Sequence, residues 1–170
     1  MNENDIVKYF TAEKNESLIF IAIGIIATVI AFYGYFFIKT EYFKGLFYPL
    51  LLVAAIQIFV GTTVYFRSPK DIERVTQQLK ETPEKLKSEE LPRMIVVNKN
   101  FVIYRYVEIA LAILGILIMV FMGRVGFWGG VGAGLTVQAL LMLSADYFAE
   151  QRALVYTDLL NKFIQTSLPS

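Results

Sequence analysis

The chain has neither cysteine nor histidine. Their absence excludes disulfides, thiol chemistry and haem ligation, and it removes nearly every zinc or copper site. No metal and no cofactor is expected. Charge is scarce as well: 18% of the 170 residues are charged against 56% hydrophobic, too few to clothe the surface of a soluble domain. The composition is that of a membrane protein.

Four apolar runs are long enough to cross a bilayer core of about 30 Å, which takes roughly 20 helical residues. They are Ser17 to Ile38, Leu46 to Phe66, Tyr106 to Met122 and Val125 to Ala145, the third extended by Val102 to Arg105. The expected fold is all-α: a four-transmembrane-helix bundle with cytoplasmic helical extensions. Its segments are an N-terminal piece over 1–16, a first transmembrane hairpin over 17–66, a helical loop over 67–101, a second hairpin over 102–145 and a C-terminal helix over 146–170. The first run is too long for a signal-peptide core and lacks a small-residue cleavage site, so it is expected to stay as an anchor.

Basic residues orient the spans, because positively charged flanks stay on the cytoplasmic side. Lys8, Lys14, eight residues from Arg67 to Lys99, Arg152 and Lys162 lie on one side, twelve in all, against Lys39, Lys44 and Arg124 on the other. Both termini and the central loop are therefore expected in the cytoplasm of a cell with this chain in its inner membrane. Asp71, Glu73, Glu81, Glu84, Glu89 and Glu90 interleave with the loop's basic residues. That pattern argues against a polybasic patch for nucleic acid or anionic lipid.

In the central loop, SPKDIE and TPEK each place Ser or Thr at a cap, Pro at the first helical position and acid in the first turn, so each reads as a helix start. Ile72, Val75 and Leu79 share one face there, and the tail carries a stripe of Val155, Tyr156, Leu159, Leu160, Phe163 and Ile164 that needs a partner. Packing of these faces on each other into a small cap is the simpler expectation. Ile6, Val7 and Phe10 make the N-terminal piece either a short interfacial helix or a frayed leader.

The segment GRVGFWGGVGAGLTVQ at 123–138 is glycine-rich, but it runs into LTVQALLMLSA without the G-K-[ST] ending of a phosphate loop. Gly126, Gly130 and Gly134 instead form two GxxxG steps, a face that another helix can approach closely, within the chain or in a homo-oligomer. Aligning the second and fourth runs on Gln57 and Gln138 also pairs Gly45 with Gly126 and Phe47 with Trp128. IAIGII in the first run resembles AILGIL in the third. The pattern is that of a duplicated hairpin in parallel orientation; apolar segments also match by chance, and both readings stand.

Polar residues inside the spans are few. Gln57 and Gln138 fall near mid-depth and are expected to hydrogen-bond as glue between helices, or alternatively to line a substrate path. Glu108 lies a turn inside the third span, three residues after Arg105. One reading makes it part of an inner-boundary charge network of Arg67, Arg105, Glu108 and Asp146. The other makes it a proton-coupling acid.

No nucleophile with a base and no cluster of intramembrane acids is present, so an enzyme is not expected. The four-helix multidrug exporters are similar in span number but carry an acid in their first span, where this chain has none. The expected function is a non-catalytic bundle acting through contacts with the lipid bilayer and with a protein partner or further copies of itself. By architecture alone, and with no shared motif, the chain resembles the small four-span immunity proteins that protect bacteria against pore-forming toxins, which implies an immunity or accessory role. The alternative is a small oligomeric transporter or channel using Glu108, Gln57 and Gln138.

Overall fold

The structure is a computed structural model describing residues 1–167, all-helical, with four long helices: α1 (Glu3–Tyr33), α2 (Glu41–Glu81), α3 (Leu91–Met122) and α4 (Phe127–Ser167). A π-helical turn, Gly34–Ile38, closes α1, and another, Leu86–Glu90, leads into α3. All four helices are long and apolar enough to cross a membrane. The 41 residues of α2 and of α4 extend about 60 Å at about 1.5 Å per residue, twice a bilayer core. Each helix therefore has an apolar zone and a charged extension.

The helices run up and down, so the start of α1, the end of α4 and the α2–α3 connection lie at one end, here the charged end, and the two tight turns at the other. Asn2 caps α1 with a reciprocal pair of bonds to Asp5, at 2.8 and 3.0 Å. α1 thus starts at the N-terminus and runs on without a break, neither a separate interfacial helix nor a frayed leader. Lys39 adopts a left-handed φ of 59° at the first turn, and Thr40 caps α2. At the second turn Gly123 and Gly126 have φ of 101° and 91°, where only glycine is unstrained.

The SPKDIE expectation is corrected. Pro69 sits inside α2 rather than at a helix start. One backbone bond lost to proline costs less here than a break would, because the continuation buries Asp71, Val75 and Gln78. TPEK does mark a boundary: α2 ends at Glu81 and helix resumes at Glu84. The segment 67–101 is thus the ends of two long helices joined by a short connection.

α1 packs along α2, α3 along α4, and α2 along α4, giving the order α1–α2–α4–α3. No close backbone approach links α1 to α3 among the described residues. Among the described residues, the helices close around one core only at the charged end, built from Ile6, Tyr9, Phe10, Val75, Leu86, Met94, Ala153, Tyr156, Leu160 and Ile164. Ile72 and Leu79 pack against it, so the faces of the central segment and the tail do meet. Val7 and Val155 of the expected stripes point outward. The apolar zone buries mostly small residues, such as Ala27, Ala31 and Ala54, and turns Phe59, Phe121 and much of α3 outward. Apolar surface of that extent marks a face that meets lipid or protein.

Candidate functional site

Three groups of side chains stand out, and the first lies where α2 meets α4. Gln57 and Gln138 are both buried, and Gln57 Nε2 donates to Gln138 Oε1 at 3.3 Å. Toward the turns, the α4 glycines let the backbones touch. A Cβ on Gly130 would overlap the Tyr42 carbonyl oxygen, and one on Gly134 would come within 2.6 Å of Pro49 Cγ. Gly126 does not belong to this seam: it precedes α4, accepts the Gly130 N–H at 3.1 Å, and has open space where a Cβ would stand.

Gly132 faces the other way. A Cβ there would lie 2.7 Å from Met119 Cγ on α3, and one on Gly115 would lie 2.6 Å from the Gly132 carbonyl oxygen. Gly24 fits against α2 in the same manner, 3.0 Å from the Ala54 carbonyl oxygen. The GxxxG count misses Gly115, since a single glycine in a span has no pattern; the match of IAIGII to AILGIL was the signal that could have found it.

The second group is at the inner boundary, and it does not form the single network expected of Arg67, Arg105, Glu108 and Asp146. Arg67 on α2 turns to Glu13 of α1 at 3.0 Å and to Asp71 at 3.1 Å. The order of the helices keeps it from α3. Arg105 bypasses Glu108, three residues along its own helix, and pairs with Glu150 of α4. Glu108 is only 3% exposed, and neither of its oxygens receives a hydrogen bond. It faces Asp146 across a groove lined by Phe101, Ile109, Leu143 and Tyr147.

The third group escaped sequence reasoning. Glu90 is fully buried in the charged-end core. Its Oε1 accepts from Arg93 Nη2 at 2.6 Å and from the Tyr156 hydroxyl at 3.2 Å, and its Oε2 accepts from Arg93 Nε at 2.9 Å and Arg74 Nη2 at 3.1 Å. Burial lowers the proton affinity of Arg93, but its bonds to Glu90 outweigh that and hold it firmly protonated. Burial pushes the Tyr9 and Tyr156 hydroxyls far above the ordinary tyrosine value. Their rings stack with centroids 4.3 Å apart. In sequence Glu90 is one acid among alternating charges, and its tyrosine partner is 66 positions away.

Chemically, these arrangements fasten helices together. Gln57, the glycine faces and Glu90 are each closed by a neighbouring helix, whereas Glu108 and Asp146 are two acceptors set against each other without a donor. No protein-family model, curated protein or solved structure matches this chain.

Proposed function

We propose that the chain is an integral protein of a bacterial inner membrane, with both termini cytoplasmic, that acts without catalysis through contacts with another protein or with further copies of itself. The observation that carries this reading is the use of the apolar zone. Its two glutamines bond to each other, the space at its glycines is filled by neighbouring helices, and many of its large side chains point outward. Such a zone is built to pack. The basic asymmetry supports the orientation, since the charged end with its inner boundary holds thirteen lysines and arginines, Arg105 included, and the turns three. A duplicated hairpin fits as well: Gln57 and Gln138 meet across the central contact, and Gly24 and Gly115 serve their own hairpins alike. Within this class an immunity or accessory role suits the size and the four spans.

A test is purification in mild detergent with native mass spectrometry. A stoichiometric protein partner or a defined homo-oligomer is expected. A monomer that carries lipid alone would overturn the contact reading.

One observation favours a second reading, a small transporter or channel. Glu108 lacks the arginine that would make it purely structural, and it borders an open groove. Gln57 and Gln138 do not join it there, because Gln138 lies eight residues from Asp146, about 12 Å along α4. Ion-driven flux in proteoliposomes, abolished by Glu108→Gln, would place this reading first.

A further inference from the structure

Polar side chains cross between α3 and α4 as a ladder. Asn98 Nδ2 donates to Thr157 Oγ1 at 2.9 Å, and Arg105 Nη2 donates to Glu150 Oε1 about two turns further along. The next rung toward the apolar zone is Glu108 opposite Asp146, which line one groove, and both Glu108 oxygens are buried without a donor. The first two rungs couple a donor to an acceptor. This one sets two acceptors together.

A rung of two acceptors requires something between them. Two ionised carboxylates side by side at a partly buried helix contact repel, and either would bond well to the other's proton. Arg105 could have neutralised the rung, but its guanidinium is engaged by Glu150. No group of three or more acidic side chains that could hold a metal ion is present among the described residues. We propose that Glu108 and Asp146 bind one proton between them, forming a carboxyl–carboxylate pair that joins α3 to α4 at the inner edge of the apolar zone.

The site is buried yet reachable. Glu108 is 3% exposed, Asp146 is half-buried, and the groove beside them holds about 490 Å³, room for several waters. Its lining comes from α3 and α4 alone; the charged groups facing the pair are Arg105 on α3 and Glu150 on α4, and Tyr147 is the other titratable neighbour. A proton delivered by water in the groove takes the pair from two negative charges to one. Its departure returns the second charge and sets the helices against each other at this level. The pair would exist whether or not the chain moves a solute.

The test is infrared spectroscopy on the full chain in lipid nanodiscs, reading the C=O stretch of protonated carboxyl groups at neutral pH. Wild-type protein is expected to show one such band per chain. The band should vanish in both Glu108→Gln and Asp146→Asn, because each amide donates to the remaining carboxylate and leaves no proton to share. Glu13→Gln should leave it in place. Persistence of the band in either variant at the pair would show an unshared acid and overturn the proposal. So would its absence from wild type, a measurement that depends on no variant folding. A saturable rise in thermal stability with sodium or potassium, in wild type without the band, would assign the site to a cation instead.

Discussion

Gln57 on α2 donates its side-chain amide to the carbonyl of Gln138 on α4 at 3.3 Å, and the other polar atom of each amide, Gln57 Oε1 and Gln138 Nε2, is buried without a partner. The bond is therefore half of what the two groups could make. It fixes the level at which the two hairpins meet, since sliding either helix by a turn would strand both amides in an apolar contact.

Replacing one glutamine by leucine removes the bond and orphans the other amide, so Gln57→Leu or Gln138→Leu should each cost about 1 kcal/mol. The double change leaves nothing unsatisfied, and its cost should fall below the sum of the two. Reversible unfolding in detergent with a double-mutant cycle measures this. A strictly additive cycle would show that the two amides do not interact.

The glycines of α4 divide by neighbour rather than by spacing. Gly130→Leu should disrupt the α2–α4 contact, because the Tyr42 and Leu46 backbone stands where its side chain would go. Gly126→Ala meets no atom within 4 Å, and its cost should come from its φ of 91° alone, about 1 kcal/mol. Thermal unfolding of the two variants should rank Gly130→Leu far the worse. Equal losses would contradict the packing assignment.

Glu90 carries the largest expected effect. Glu90→Ala leaves Arg93 and the Tyr156 hydroxyl without their acceptor, while Arg74 keeps Asp71 at 2.9 Å, and breaking a largely buried pair of this kind costs about 3 kcal/mol. Tyr156→Phe removes a single donor while keeping the ring stack on Tyr9, for about 1 kcal/mol. Chemical denaturation of the solubilised protein compares them. A Glu90→Ala protein as stable as wild type would mean that the charged end is not held by this cluster.

The four apolar runs were legible because a long hydrophobic stretch has few alternatives, and the mid-span glutamines stood out because polar groups there are rare. Helix limits were less legible. Pro69 imitates a helix start, yet burial of Asp71 and Val75 beyond it decides otherwise, and burial depends on residues of other helices. Pairing of charges was least legible: Arg105 has an acid at i+3 and takes Glu150 from another helix instead. Local spacing offers a partner, but the order of the helices chooses it.

Orientation is open to a direct check. An alkaline phosphatase joined to the C-terminus should be inactive in bacteria, and one inserted at Lys39 in the first turn should be active, since the enzyme matures only outside the cytoplasm. The reverse pattern would invert the topology and move Glu13, Glu90 and Tyr156 to the outer face.

Glu13 sets an acid-side dependence whose sign can be worked out. Burial raises its proton affinity above the ordinary glutamate value of 4.5, against the pull of Arg67 and Arg93 and with a further push from Asp71. As pH rises past 4.5 the unfolded chain releases this proton first, so the folded state binds more protons and stability falls until the folded group has ionised too. Acidification back through that window should therefore stabilise the protein through this residue, the opposite of a carboxylate whose proton affinity is lowered by its ion pair. Glu13→Gln keeps the shape and an acceptor for Ser68 and Arg67 while removing the titration. It should flatten the slope just above 4.5 and leave stability at neutral pH equal or higher. Thermal unfolding of both proteins across mildly acidic buffers measures the difference. A Glu13→Gln variant that is less stable at neutral pH and keeps the wild-type slope would show that the ion pair with Arg67 outweighs the burial.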